Sequence, residues 1–98
     1  MKHLISNEES DFVKVECSGA LENSMDLNFI EVYLSENKSV NLIMTEITYI
    51  NSCGFGALVE ETMNFSDANL KVMVSGMNSQ VRKTMEILGG EVLLNFLD

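Results

Sequence analysis

Proline is absent from this 98-residue sequence, and no segment is rich in proline, glycine or serine. Because nothing in the chain reads as a linker, we expect residues 1–98 to form a single domain. Cations are also scarce: six Lys and Arg stand against fifteen Asp and Glu, for a formal net charge of −9. So few cations leave no basic face for phosphate backbones, and we therefore expect no nucleic-acid partner.

Histidine and cysteine are equally sparse. The single histidine, His3, has no base or nucleophile arranged near it in the sequence, so it offers no catalytic triad. Cys17 and Cys53 are far apart, which fits neither a disulfide framework nor a pair of metal ligands. We expect no catalysis, no metal and no cofactor, and we expect both thiols to be reduced, as in a cytoplasmic protein.

Long hydrophobic runs are missing too. No apolar run is longer than that of residues 42–44, which is far too short to cross a bilayer. The first residues turn polar and acidic immediately after Ile5, unlike a signal peptide. We therefore expect a cytoplasmic protein without membrane insertion.

The periodicity of the apolar residues predicts alternating strands and helices. Residues 12–17 alternate between apolar and polar side chains, as in a half-buried strand, and Ser18 and Gly19 are expected to end it. Residues 40–44 are almost continuously apolar, which predicts a strand covered on both faces. Spacings of three and four residues predict the helices. The predicted strands are 4–5, 12–17, 40–44, 70–74 and 92–96, and the predicted helices are about 24–36, 52–65 and 79–88.

This order of elements predicts an α/β fold. Strands that alternate with helices imply right-handed crossovers and a largely parallel sheet. The first two strands are separated only by a short polar turn, so they should pair antiparallel. We expect a mixed, mainly parallel five-stranded sheet with three helices mainly on one face.

The junction between the third strand and the second helix is the strongest candidate site. Asn51 and Ser52 are both good N-cap residues, and Gly54 and Gly56 leave backbone N–H groups accessible in the first turn. A phosphate on the Ser52 hydroxyl would be stabilised there by the helix dipole and these N–H groups. The residues alone favour a simpler interpretation, in which Ser52 only caps the helix and the glycines permit close packing, because serine is a common capping residue.

Three segments resemble one known family. Residues 47–58 (ITYINSCGFGAL) resemble the signature of STAS domains, the anti-sigma factor antagonist family, in which hydrophobic residues precede Asp-Ser-Ser/Thr-Gly-Leu-Gly and an apolar helix. Residues 18–22 (SGALE) resemble the Gly-x-Leu-Asp turn of that family, and residues 81–90 (VRKTMEILGG) resemble its third helix. The resemblance extends along the whole chain and implies a single STAS domain.

The resemblance also implies a function and a set of site residues. In this family a serine kinase that is itself the anti-sigma factor phosphorylates the first serine of the signature, and a PP2C-type phosphatase reverses the modification. That serine matches Ser52. The resemblance thus implies a phosphoprotein that regulates transcription through partner switching. The residues it implies for partner binding are Leu21, Glu22, Asn51, Ser52, Cys53, Gly54 and Phe55.

Four positions of the sequence depart from the family pattern. Asn51 and Glu22 replace aspartates, Cys53 replaces a serine or threonine, and Phe55 replaces an aliphatic residue. These departures motivate an alternative, in which the domain is a non-phosphorylated STAS scaffold or an interaction subunit of a transporter or signalling complex. For Cys53, burial under the helix is expected over a redox-sensing role.

The C-terminal end of the sequence departs from the family as well. Many relatives carry a further helix after the last strand, and here we expect that helix to be shortened or absent. The last strand would then expose an apolar strip of Val92, Leu94 and Phe96. Such a strip would be a partner surface or a homodimer contact.

Overall fold

Five strands form one sheet in the computed structural model, which describes residues 1–97. The strands are β1 (Lys2–Glu8), β2 (Phe12–Leu21), β3 (Ser39–Ile50), β4 (Val72–Ser75) and β5 (Asn95–Phe96), and they lie side by side in this order. β1 pairs antiparallel with β2, and every other neighbouring pair is parallel. The predicted mixed, mainly parallel five-stranded sheet is therefore confirmed.

The helices cover one face of this sheet. They are α1 (Glu31–Ser35), preceded by a 3₁₀ turn at Asn28–Ile30, α2 (Ser52–Asp67), α3 (Ser79–Ile87) and α4 (Gly90–Leu93). In β2, Val13, Val15 and Cys17 are buried beneath the helices, whereas Lys14 and Glu16 point to the other side and are exposed. Placement on one face was predicted; the fourth helix, α4, was not.

β3 alternates in burial, so the expectation that it is covered on both faces is wrong. Val40, Leu42 and Met44 are buried, and Asn41 and Ile43 between them are only half-buried. The apolar run of residues 42–44 led to the wrong expectation because Ile43, although apolar, lies on the open face of the sheet. A strand with one covered face needs inward apolar residues at every second position only.

Two bulges in β3 lengthen it relative to β2. Between the pairs Glu16–Ile43 and Ser18–Glu46, and again between Gly19–Ile47 and Ala20–Tyr49, β3 contributes one extra residue. The inward-facing residues consequently step by three, and they are Met44, Ile47 and Ile50. Bulges of this kind bend a strand and increase its twist, and they re-aim the side chains that follow.

β2 does not end at Ser18 and Gly19 as predicted. It continues to Leu21, with Gly19 at a φ of 90° in the left-handed region that glycine tolerates. Ser18 and Gly19 do mark an irregular point in the strand, because the register with β3 shifts on either side of them. Pairing with β3 nevertheless continues beyond them.

The helix predicted from residue 24 begins only at Glu31, so this boundary was wrong. The carboxylate Oδ2 of Asp26 accepts hydrogen bonds from the backbone N–H groups of Glu22 and Asn23, each at 3.1 Å. This side chain closes a turn that competes with helix formation. The predicted apolar stripe of Leu27, Ile30 and Leu34 still marked inward-facing residues, because Leu27 and Ile30 are buried and Leu34 packs partly buried against the core.

The predicted last strand, residues 92–96, is also wrong in extent. Gly89 ends α3 with a φ of 97°, but Gly90 then starts α4, and only Asn95 and Phe96 form β5. A Cβ on Gly90 would lie 2.8 Å from the carbonyl oxygen of Met85, so its missing side chain allows α4 to stack on the end of α3.

This arrangement breaks up the expected apolar strip. Val92 is exposed on α4, Leu94 is buried in the core, and Phe96 is partly buried against it. The three side chains therefore do not share one exposed surface. Within residues 1–97, no helix has both the length and the apolar character needed to cross a membrane.

Candidate functional site

The start of α2 lies directly after β3, and Asn51 caps it. Asn51 has extended backbone angles, and its Oδ1 accepts a hydrogen bond from the N–H of Gly54 at 2.9 Å. Its carbonyl accepts the first helical hydrogen bond, from the N–H of Phe55, at 2.9 Å. This is the N-cap geometry that the sequence predicted. It makes Ser52 the first residue of a helix of 16 residues.

The outer side of the first turn of α2 is open to solvent. Ser52 and Cys53 are exposed, and a Cβ placed on Gly56 would meet no atom within 4 Å. Ser52 therefore lies at the positive end of a helix dipole and is open to solvent. A phosphate at this position would lie at a helix end that favours anions.

The inner side of the same turn is packed against the end of β2. A Cβ on Gly54 would lie 2.0 Å from the carbonyl oxygen of Leu21 and 2.5 Å from its carbonyl carbon. The same carbonyl accepts a hydrogen bond from the N–H of Asn51 at 3.3 Å. The start of α2 and the end of β2 are thus held together, which fixes the position of Ser52.

The loop after β2 is ordered by Asp26. Partial burial by itself raises the pKa of the Asp26 carboxyl. The backbone hydrogen bonds from Glu22 and Asn23 and the positive charge of the N-terminus outweigh that effect, and the net result is a pKa below the usual value. The N-terminal ammonium nitrogen lies 3.9 Å from Asp26 Oδ1. The loop therefore holds a defined conformation next to Leu21, and Glu22 is exposed on it.

The structure brings the predicted site residues together at one end of the sheet, in two groups. Glu22, Ser52 and Cys53 are exposed and Asn51 is half-buried, so these residues present surface to solvent. The remaining ones, Leu21, Gly54 and Phe55, are buried. They hold the exposed residues in place.

Cys53 lies outside the core, so the expectation that it is buried under the helix was wrong. The buried stripe of α2 runs through Gly54, Phe55 and Leu58, which leaves position 53 on the solvent side. Cys17, in contrast, is buried in β2, and burial raises the pKa of its thiol to about 12. Among residues 1–97, no group of three or more His, Cys, Asp or Glu is placed to hold a metal ion.

Sequence reasoning overlooked two residues, one beside this site and one further along α2. Tyr49 is 52% exposed, two positions before Asn51, because the second bulge of β3 turns it outward. A bulge has no reliable sequence signal, so this exposure could not be predicted. Glu61 lies on the buried stripe of α2 and is only 4% exposed. The burial of Glu61 could have been predicted from the sequence, since this acidic residue stands at a position where the helical spacing calls for an apolar one.

The fold and the site define a small α/β domain in which the exposed N-terminus of α2 lies at the carboxyl end of a mainly parallel sheet. The STAS domain family model matches residues 6–96. The chain therefore belongs to the STAS domain family, as its motifs predicted. A search of curated protein sequences finds no significant match to the chain.

Solved structures share the fold at low sequence identity. The anti-sigma factor antagonist SpoIIAA in its unphosphorylated form is similar with a TM-score of 0.69 and 10% identity, over 99% of this chain and 88% of that one. The Bacillus cell fate determinant SpoIIAA in the phosphorylated form gives 0.67 and 11%, over 99% and 92%. Murine Slc26a9, an anion transporter of solute carrier family 26 in the inward-facing state, gives 0.66 and 15%, over 88% of this chain and 15% of the transporter. At these identities the similarity is one of fold.

Proposed function

We propose that this chain is a non-catalytic, cytoplasmic partner-switching regulator of transcription. Its partner is a serine kinase that also acts as an anti-sigma factor, and reversible phosphorylation of Ser52 controls their binding. A PP2C-type phosphatase restores the unmodified form. The observation that carries the proposal is the exposed Ser52 hydroxyl at the capped N-terminus of α2.

The switch is electrostatic. A phosphate adds about −1.5 to −2 charges and three strong acceptor oxygens at neutral pH. At the start of α2 the helix dipole stabilises this charge within the protein. An interface that fits a neutral hydroxyl would have to bury this charge. Removing the phosphate from water costs free energy, and this cost opposes binding. Unmodified Ser52 therefore binds the partner, and phosphorylated Ser52 releases it.

The departure at Asn51 is compatible with this switch. Its neutral amide still caps α2, through the bond from Gly54 to Oδ1. Because an amide carries no charge, a phosphate on Ser52 meets less repulsion here than beside the aspartate of the family pattern. The fold similarity to SpoIIAA in both unphosphorylated and phosphorylated forms adds support, since that protein carries the modification on the same fold.

The second candidate function is a scaffold or interaction subunit that is never phosphorylated. The fold similarity to part of the anion transporter Slc26a9 favours it, because there the fold occurs within a much larger membrane protein. On this alternative, a negative charge at position 52 would leave partner binding unchanged.

Intact-mass analysis separates the two candidates. The chain is incubated with ATP and a serine kinase of the anti-sigma type from its own organism. We expect wild type to gain the mass of one phosphate and Ser52→Ala to gain none.

Ser79→Ala is the matched control for this experiment. Ser79 is also the exposed first residue of a helix, and the preceding Asn78 caps that helix through a hydrogen bond from Val81 N–H at 2.8 Å. This variant should be phosphorylated like wild type. Absence of a gain in wild type, or an equal gain in Ser52→Ala, would contradict the proposal. Loss of kinase binding in Ser52→Asp would exclude the scaffold alternative.

A further inference from the structure

Tyr49 is a large aromatic residue that the fold holds at the surface. Its side chain is 52% exposed, three positions before Ser52 in the chain. Both of its neighbours in β3 are fixed, because the Thr48 hydroxyl donates a hydrogen bond to the carbonyl of Gly19 at 3.3 Å and Ile50 is buried in the core. The ring therefore projects from an ordered strand, and little backbone entropy remains to be lost when a partner binds it.

The second bulge of β3 is the reason that Tyr49 faces outward. Side chains alternate along a regular strand, so a buried Ile47 would be followed by an inward residue at position 49. The register with β2 shifts between Ile47 and Tyr49, and Ile50 takes the buried position instead. Bulges beside sites re-aim side chains in this way. The strand thus departs from regular pairing at a step that exposes an aromatic ring.

A groove lies between the end of β3 and α3. Within residues 1–97, β4 pairs with β3 only along residues 40–43, and α3 packs beside the end of β3 where β4 does not reach. The Asn78 amide donates a hydrogen bond to the carbonyl of Ile47 at 3.2 Å, which holds the start of α3 against the strand. The groove has a volume of about 100 Å³ and is lined by Thr48, Tyr49, Ile50, Gln80, Val81 and Thr84.

The residues that line this groove are all uncharged, although the chain has a net charge of −9. The centre of a protein–protein interface is depleted in charged residues and enriched in aromatic ones. Tyrosine is among the residues that contribute most to binding, because its rigid ring buries a large area at a low cost in side-chain entropy. The groove with Tyr49 therefore has the composition of an interface centre.

We propose that Tyr49 and this groove are the docking site for the serine kinase that modifies Ser52. The inference rests on the proposed function and names the contact through which the kinase binds. Three residues of chain span at most about 11 Å, and an ordinary interface buries about 800 Å² on each partner. A kinase surface that buries the Tyr49 ring is thus wide enough to cover Ser52 as well. A phosphate on Ser52 then lies inside the contact area and opposes the whole contact.

Binding of the unphosphorylated chain to the kinase, measured without ATP, tests the docking site. The kinase is the one of the anti-sigma type from the same organism, and isothermal titration calorimetry gives the dissociation constant. Loss of an anchoring aromatic side chain weakens binding strongly, so Tyr49→Ala should raise the dissociation constant about 10-fold or more. Tyr49→Phe keeps the ring and should bind like wild type. Circular dichroism should show that both variants are folded, because the side chain lies outside the core.

Phosphorylation kinetics separate docking from a structural effect on Ser52. A contact that is made equally before and during phosphoryl transfer affects KM and leaves kcat unchanged. We therefore expect Tyr49→Ala to raise the KM for the chain, with kcat close to that of wild type. A displaced start of α2 would instead lower kcat, because the hydroxyl would be misplaced for transfer.

Met63→Ala is the control for loss of an exposed apolar side chain. Met63 is 60% exposed, but it lies further along α2 and does not line the groove. This variant should bind the kinase and be phosphorylated like wild type. Gln80→Arg tests the groove from its α3 side, where it places a long charged side chain. It should also weaken binding, and it decides the question if Tyr49→Ala does not fold.

Two results overturn the docking site. One is a Tyr49→Ala variant, or in its place Gln80→Arg, that binds the kinase as tightly as wild type does. The other is an equal loss of binding in Met63→Ala, which would show that the effect does not belong to the groove. Failure of the proposed function is distinct, because wild type itself would then neither bind the kinase nor gain a phosphate, and the docking site would fall with it.

Discussion

The Cα of Gly54 rests against the main-chain carbonyl of Leu21, so closely that a Cβ would come within 2.0 Å of the carbonyl oxygen. The contact joins the end of β2 to the first turn of α2. It is a contact with backbone, so no rotation of a side chain can relieve it. The position of Ser52 relative to the loop after β2 depends on this approach, because Ser52 lies two residues before Gly54.

Gly54→Ala should destabilise the domain and displace the start of α2. Because the added methyl group meets backbone, we expect a loss of about 1–3 kcal/mol in the free energy of unfolding, as for other overpacked sites. Urea denaturation followed by circular dichroism measures this loss.

The matched control for this change is Gly56→Ala, two residues further along the same helix. A Cβ there meets nothing within 4 Å. Because alanine is the better helix former, this variant should gain about 0.5–1 kcal/mol. Equal effects of the two substitutions would show that the contact with Leu21 has no energetic role.

Asn51→Ala should weaken the start of α2 by removing the acceptor for the Gly54 N–H at 2.9 Å. Loss of an N-cap side chain typically costs about 0.5–2 kcal/mol. Asn51→Asp should retain the cap and gain about 0.3–1 kcal/mol, since a carboxylate at a helix N-terminus interacts favourably with the dipole. Thermal denaturation at low salt should show that stability decreases from Asn51→Asp to wild type to Asn51→Ala. An alanine variant as stable as wild type would contradict it.

Local signals in the sequence predicted the elements around the site. Asn51-Ser52 and Asn78-Ser79 each start a helix, because an asparagine side chain accepts a hydrogen bond from the N–H three residues later. The alternation through Val13, Val15 and Cys17 correctly marked the covered face of β2. These predictions succeeded because each depends on residues within one turn or one strand.

The failures came from hydrogen bonds and packing contacts, most of them between distant parts of the chain, that the spacing of apolar residues does not encode. The bulges in β3 are set by its pairing with β2, and they turned Tyr49 outward. Asp26 favoured a turn over the first turn of the predicted helix. The exposure of Cys53 depended on which stripe of α2 faces the sheet, and the packing of Gly54 on Leu21 decides that. The bulges, the Asp26 turn and the orientation of α2 cannot be predicted from the spacing of apolar residues.

The two cysteines should differ sharply in reactivity. Cys53 is exposed near the start of α2, whereas Cys17 is buried and its thiol pKa is raised to about 12. The thiolate is the reactive form, so only Cys53 should react with a thiol reagent such as Ellman's reagent in the native protein. Absorbance should show one fast thiol, and a second only after denaturation. Cys53→Ser should lose the fast reaction and keep the slow one; a fast reaction that persists in it would contradict the burial of Cys17.

Stability should decrease as the pH rises through the range set by Glu61. Burial raises its pKa to about 7 in the folded protein, above the ordinary value of 4.5, so between these values the folded state holds a proton that the unfolded state has lost. The contribution of this group is therefore fully present below pH 4.5 and lost once the pH exceeds 7. The loss should be on the order of 3 kcal/mol, since the two pKa values differ by about 2.5 and one pKa unit corresponds to about 1.4 kcal/mol.

Glu61→Gln isolates that contribution from general charge effects. The net charge of −9 also makes the protein more self-repulsive as carboxyl groups ionise, so wild type alone would not identify the group responsible. The variant removes only the buried titration, and urea denaturation at each pH should show a flatter profile than wild type. Because glutamine has no ionisation cost, the difference in unfolding free energy should shift in favour of the variant as the pH rises from 5 to 8. A constant difference across this range would show that Glu61 titrates alike in the folded and unfolded states.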